Sequence, residues 1–508
     1  MQKQASGSDY DGIVVGAGLG GLAAGALLAK AGKQVLVVEQ EEHPGGLVRE
    51  YDYGPYKINP AMHFITGCNP AGPQGQGVID EVLSHLGVQD RCEFVTVDPF
   101  YRAQFPDFQL DVPLGRKAYL DAHLRHFPDE ADGLRALVAL CSEIFQEFMH
   151  FPAAMRWQDW LLMPFRSPKL FRYARATLAS VIDKHIANPR LKSVYPILYP
   201  YLALPPSRLP FFIWACMMAS YIEQGAYSCK GGFQNMADAF AEGVTKHGGE
   251  LILEMPVKKV RVAGGNVQGV VLNNGQEIVA PMVISNIDAR TTFQDLLEPG
   301  EVPSGYLSKI GAMETSASVL GLYLATDLDI HALGVPKVTM LSTWDLDDAY
   351  MSALHGNPKG AGVHVPTVID ETLAPEGEHL VIIQVFVPAE TEQLSPTASA
   401  SYAESLLDLA EQVLPDLREH ITFIAGASDE EQQKYPLHRL GPIYGWANSV
   451  GQAGPRRLPS KTPISGLYLA GHWTQPGSGV WTVVLSGINA ARYALGKDMS
   501  QAICPLLL

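Results

Sequence analysis

The run Tyr10-Asp-Gly-Ile-Val-Val15, Gly16-Ala-Gly18-Leu19-Gly20-Gly21, with a small-residue stretch to Ala31 and then Gln34-Val-Leu-Val-Val38-Glu39, decides the fold. An apolar strand enters a G-x-G-x-x-G turn, a helix leaves it, and a second strand ends in an acid. Each part has a physical task. Gly16 permits the tight turn, Gly18 lets backbone approach a pyrophosphate, and Gly21 lets helix and sheet pack closely. The helix start offers free N–H groups and a positive dipole end to phosphates. Glu39 suits a ribose hydroxyl and repels a 2′-phosphate. A dinucleotide is expected here.

Two further segments favour FAD over NAD. His43-Pro-Gly45-Gly46 follows the acid and allows a second close backbone approach to an extended cofactor. Near the C-terminus, Gly466-Leu-Tyr-Leu-Ala-Gly471-His472 leads through Pro476-Gly-Ser-Gly479-Val480 into another small-residue helix pattern. A helix start aimed at a flavin would stabilise charge on the reduced ring.

With these motifs the chain resembles the phytoene desaturase, carotenoid isomerase and retinol saturase group of amine-oxidase-like flavoproteins. Three middle segments carry the resemblance further: Gly225-Ala-Tyr227 with Gly231-Gly232, Val283-Ile-Ser-Asn286, and Asp370 with Leu373-Ala-Pro-Glu-Gly377. It implies an α/β fold: a Rossmann-type FAD domain in three discontinuous segments, with an inserted α+β substrate domain. The expected pieces are 8–75, 228–290 and 460–495 for FAD, 76–227 for a helical substrate- or membrane-facing region, and 291–459 for a mixed sheet. The cofactor set is expected to comprise Gly16, Gly18, Leu19, Gly20, Gly21, Glu39, Gln40, Gly45, Gly46, Leu47, Val257, Gly471, His472, Gly479 and Val480. In the family, the strand beginning near Val257 meets the adenine end through its backbone. His472 stands where many relatives carry an acid that bonds the ribityl chain.

Composition, with 47% hydrophobic and 18% charged residues, describes a globular protein on the apolar side. The 508 residues suffice for two cored domains. A net charge of −16 argues against nucleic acid. Six cysteines without metal spacing read as reduced thiols of a cytoplasmic protein. Met1 to Ser8 is short and polar, so no signal peptide is expected. The most apolar run, Leu209 to Ile222, is too short to span a bilayer, which takes about 20 residues. Between Phe151 and Pro210, nine Lys/Arg face two acids and alternate with aromatic residues such as Trp157, Trp160, Phe165 and Phe171. This reversal within an acidic chain suits peripheral docking on anionic lipid. The alternative is a helical substrate domain with a solvated charged face.

The chemistry centres on Asn59-Pro-Ala61-Met-His63-Phe-Ile-Thr-Gly67, which resembles a retinol-saturase turn that the family sets beside the flavin ring. His63 and Gly67 match it; Asn59 and Ala61 replace an aspartate and a glycine. His63 is the candidate catalytic residue, as a proton donor or acceptor, with a structural hydrogen-bonded histidine as the alternative. Lys230 is expected at the surface, and Trp473 and Trp481 in packing. No second nucleotide fingerprint follows a strand, so an external electron donor or acceptor is expected. The substrate expected from the resemblance is an apolar polyene or isoprenoid, desaturated, saturated or isomerised at C–C or C=C bonds by hydride exchange with flavin N5. An oxidase acting on a polar or carrier-bound small molecule is the competing class.

Overall fold

The computed structural model describes residues 5, 9–68, 77–150, 157–389, 396–426 and 438–496, with backbone alone at 157–161 and 396–398. Arg156, Cys504 and most of the N-terminal octapeptide lie outside the described residues. The five described cysteines are unpaired thiols.

Two sheets organise the chain. The first is parallel and five-stranded, in the order Leu467–Leu469, Val283–Ser285, Gly12–Val15, Val35–Val38, Glu250–Ile252. Its central strands Gly12–Val15 and Val35–Val38 are buried along their whole length, as unbroken Val/Ile/Leu runs in a sheet covered on both faces should be. The fingerprint helix Leu19–Lys30 is buried from Leu19 to Ala29. It packs against Val480–Leu495 and Gln234–Lys246, and its glycines make that possible. A Cβ on Gly487 would lie 2.3 Å from the Gly20 carbonyl oxygen, so those two helices meet backbone to backbone.

The second sheet is mixed and eight-stranded. Its main path is Ile421–Ile424, Ser318–Thr326, His379–Val387, Ala361–His364, Val338–Leu341, Tyr101–Phe105, Phe108–Val112, with His438–Pro442 also pairing Ser318–Thr326. Here the structure departs from the sequence reading, which assigned 76–227 to a helical region. Tyr101–Phe105 pairs in parallel with Val338–Leu341 and forms a hairpin with Phe108–Val112. The alternating burial of Tyr101–Phe105 is a strand signature, but a five-residue run is short against the helices around it. Above this sheet lies a helical layer. Ala131–Met149 packs on Phe211–Gln224 over a core that includes Trp214, Tyr119 and Leu137. Leu209 to Ile222 is therefore interior packing, with Trp214 and Met218 fully buried.

A three-stranded antiparallel ribbon, Val257–Ala263, Asn266–Leu272 and Glu277–Val279, follows the edge strand Glu250–Ile252 of the parallel sheet, with Gly264-Gly265 and Asn274-Gly275 at its turns.

Candidate active site

The fingerprint turn gathers parts from across the chain. Gly16 has φ +94°, which only glycine adopts without strain. A Cβ on Gly21 would fall 2.2 Å from the Gly16 carbonyl oxygen. Glu39 is tied to the turn: Ala17 N–H donates to Oε2 at 2.6 Å, and the Gln40 and Glu41 amides donate to Oε1 at 2.8 and 3.1 Å. Gly45 donates its amide to Ala17 O at 2.8 Å, and Gly46 presses on Gly18, with Leu47 half-buried behind them. Met255 N–H donates to Glu39 O, which brings the segment leading to Val257 to the acid's end of the site.

The C-terminal loop arrives at the same place. A Cβ on Gly20 would be 2.8 Å from Gly471 N, and one on Gly471 would be 2.7 Å from Asn286 Oδ1. The helices that start at Gly18 and Gly479 both lack a side-chain cap and a first-turn acid. Their first N–H groups and positive dipole ends are left for a ligand. Asn286 Oδ1, buried between Gly18, Gly20 and Gly471, has no hydrogen-bond partner among the described residues. His472 follows Gly471. Its carbonyl accepts from Arg457 Nε and Nη2 at 3.1 and 2.8 Å, and burial, with Arg457 adding, pulls its imidazole down to about 3.

A cavity lies on the mixed sheet. Its floor includes Met340, Gly362 and Gln384, and its roof includes Ile197, Tyr201 and Tyr350. His63 enters at one end on the 59–67 turn. That turn is held by Asn59, whose Oδ1 accepts from the Ala61 and Met62 amides and whose Nδ2 donates to Val48 O. Asparagine thus performs the loop-fixing work for which the resemblance leads one to expect aspartate.

Gln384 Nε2 donates to Pro60 O, which turns its oxygen toward His63. The His63 Nε2–H then donates to Gln384 Oε1 at 2.8 Å. His364 lies flat against His63, ring centroids 3.4 Å apart at 4°. Gly362 makes room for it: a Cβ there would stand 2.7 Å from His364 Nε2. Tyr201 meets His63 edge-on at 6.3 Å. Burial lowers His63 to about 3, with the charge of Lys337 adding to the effect and Gln384 opposing it; His364 is lowered as well. Both imidazoles are therefore neutral at physiological pH.

Behind the histidines sits a buried polar knot. Lys337 is 3% exposed and its Nζ donates to Ser228 Oγ at 2.6 Å; burial lowers it to about 7. Asp370 Oδ2 accepts from Gly231 N at 2.5 Å, and Glu50, raised to about 7 by burial, accepts from Phe233 N at 2.8 Å. The Gly231-Gly232 turn and the Asp370 loop, separate in the sequence, thus lock together. Lys230 itself is exposed and pairs with Glu93 at 3.1 Å.

Residues 19–495 match the family described as flavin-containing amine oxidoreductase. The chain belongs to that family. Rat all-trans-retinol 13,14-reductase is 26% identical over 502 residues, covering 91% of this chain and 82% of that protein. Prolycopene isomerase 1 of an Oncidium hybrid cultivar is 25% identical over 511 residues, covering 95% and 83%. The fold recurs in an oxidoreductase from Methanosarcina mazei, with TM-score 0.64, 18% identity, and coverage of 94% of this chain and 98% of that one. It recurs also in putrescine oxidase with putrescine bound, with TM-score 0.61, 15% identity, and coverage of 96% and 99%.

This flavin oxidoreductase uses FAD. The residues present fit it: two uncapped helix starts, a glycine cradle that side chains would fill, and the unpartnered Asn286 oxygen. Sequence reasoning missed His364, Gln384 and Lys337. Each comes from an apolar strand or its edge, where a lone polar residue gives no periodic signal. Trp473 and Trp481 pack as expected. Trp473 lies edge-on to Trp446 at 4.9 Å, and Trp481 meets Phe145 and Phe148.

Proposed function

We propose that this flavoenzyme acts on the C–C or C=C bonds of an extended, uncharged isoprenoid polyene. The observation that carries the reading is the cavity lining: among the described residues it contains no Asp, Glu, Lys or Arg, and apart from His63, Ser342, His364 and Gln384 its walls are mostly aliphatic and aromatic. Burying a charged substrate there would leave its charge unpaired. The relatives named for all-trans-retinol and for prolycopene support the same substrate class. An amine substrate, in the competing class, would find no carboxylate to meet its ammonium group.

Bound FAD supplies hydride exchange at N5. The cofactor residues proposed are those of the glycine cradle, Glu39 and Gln40, Gly45 to Leu47, Val257, Gly471, His472, Gly479 and Val480. His63 is proposed to act at the reacting segment as a neutral imidazole. Its Nε2–H is engaged by Gln384, which leaves Nδ1 to accept a proton or hydrogen bond. The apolar walls exclude water from the chain of double bonds.

Access from a lipid surface belongs to this reading. None of the described helices is long and apolar enough to cross a membrane. Phe165 and Phe171, on the helices Trp157–Arg166 and Pro168–Tyr173, are 83% and 53% exposed, and Arg172, Arg175 and Arg456 rim a second apolar cavity beside them. Exposed aromatic residues beside guanidinium groups suit anionic lipid.

The test is anaerobic. Holoenzyme is mixed with liposomes carrying saturated or conjugated isoprenoids, and the flavin and polyene spectra are followed together. Bleaching of oxidised flavin by a less unsaturated chain identifies a desaturase. Turnover only after chemical reduction of the flavin identifies a saturase or isomerase. Silence in both states, with hydrogen peroxide formed from a soluble amine once oxygen is admitted, would overturn the proposal.

A further inference from the structure

Two residues that line the cavity carry polar atoms without partners among the described residues. Tyr201 Oη and His364 Nδ1 are both buried, and neither has a hydrogen-bond partner among the described residues. Both side chains line the cavity. Both rings are fixed. Phe64 stacks on Tyr201 at 4.9 Å and 16°, and His63 stacks on His364 at 3.4 Å and 4°. The two orphaned atoms thus belong to rings that flank His63 on two sides, one edge-on and one face-on. Buried polar groups in native proteins are nearly always paired, and an exception on a cavity wall calls for a ligand atom.

We infer that Tyr201 and His364 bind a neutral oxygen function, a hydroxyl or a carbonyl, carried by the isoprenoid chain next to its reacting segment. The inference rests on the polyene reading above. The donor and acceptor count supports it. Burial raises Tyr201 well above the ordinary phenol range, so it stays an O–H donor. Neutral His364 offers one N–H and one lone pair. A substrate hydroxyl accepts from Tyr201 and donates to the imidazole; a carbonyl oxygen accepts from both. A carboxylate or phosphate would need a cation, and the nearby buried ammonium of Lys337 is bonded to Ser228 and lies outside the lining. A pure hydrocarbon would leave both atoms unpaired and dry, whereas a site with matched hydrogen bonds discriminates strongly against the analogue that lacks them.

The experiment uses FAD-loaded enzyme in detergent micelles and one polyene chain in four forms: hydrocarbon, terminal alcohol, terminal aldehyde and terminal carboxylic acid. Affinity is read from the shift of the polyene absorption band. The alcohol or the aldehyde is expected to bind at least about tenfold tighter than the hydrocarbon. Tyr201→Phe, which removes a single oxygen, is expected to erase most of that preference, with hydrocarbon affinity and flavin spectrum unchanged. An alcohol preferred over the aldehyde means that His364 accepts; the reverse means that it donates. Equal binding of hydrocarbon and oxygenated chains, or tightest binding of the acid, overturns the inference and leaves the polyene reading standing. A Tyr201→Phe variant that alters flavin content or spectrum while keeping the preference also overturns it, because the orphaned hydroxyl would then serve the cofactor. Failure of all four chains to bind overturns both readings.

Discussion

The two halves of this flavoenzyme are built on opposite principles. At the proposed cofactor end the site is mostly backbone: glycines 16, 18, 20 and 21 and two uncapped helix starts, with few side chains among them. At the proposed substrate end it is side chains: His63, Gln384, His364 and Tyr201, from four separate segments, line a largely apolar cavity. A backbone site depends on what is absent, so it tolerates no added atom. A side-chain site depends on long-range packing, so it should degrade in steps.

The sharpest way to break the comparison is Gly21→Val. With a Cβ position 2.2 Å from the Gly16 carbonyl oxygen, the turn cannot close. Complete loss of bound FAD is expected, read as the flavin-to-protein absorbance ratio; a normal ratio would refute the backbone account. Arg457→Leu comes next. This buried guanidinium donates to the carbonyls of Tyr444, Trp446 and His472 and to Asn448 Oδ1. Leaving those acceptors unpaired outweighs the relief of an unpaired buried charge, and a loss of about 3 kcal/mol is expected in chemical denaturation of the holoenzyme. An unchanged midpoint would mean that the C-terminal loop holds itself.

Gly362→Ala probes the other half. The added methyl would stand 2.7 Å from His364 Nε2 and push the ring off His63. Overpacking of this kind costs about 1–3 kcal/mol. Lower thermal stability with full flavin content would sharpen the contrast; loss of flavin would blur it. Both halves should be acid-sensitive, the substrate half the more so, because it buries His63, His123 and His364 where the cofactor end buries His472. Burial lowers His123 to about 4 and His63 to about 3. Between these values and about 6.5 the unfolded chain binds the extra protons. Stability is therefore complete above about pH 6.5 and declines as pH falls toward 4, by up to about 1.4 kcal/mol per pH unit for each such histidine. His123→Phe should flatten the slope of melting temperature against pH, and an unaltered slope would refute the assignment. At the small end, Lys230→Ala breaks only an exposed pair with Glu93 and should shift stability by no more than about 0.5 kcal/mol. A larger loss would mean that this lysine supports the buried knot beneath it.

The asymmetry explains what could be read in advance. The fingerprint, the Gly45-Gly46 pair and the Gly471 loop announce themselves because a backbone site needs particular residues at fixed local spacing. His63 was visible through its turn, but its partners were not. Gln384 and His364 interrupt apolar strands 321 and 301 positions away, and nothing local distinguishes them from a polar residue at a strand edge. Lys230 is at the surface, as expected, while the buried lysine is Lys337, which nothing local singles out. The hairpin at 101–112 was hidden for a related reason: its pairing with Val338–Leu341 is a long-range event.

The sequence by itself determined that this chain folds around FAD, because glycine spacing, strand composition and helix starts are local properties that a dinucleotide reads directly. Only the tertiary structure decided what faces the substrate. A neutral, largely apolar cavity with two stacked imidazoles and a tyrosine hydroxyl that has no partner among the described residues exists only once distant strands pair and burial strips the charge from the groups they carry.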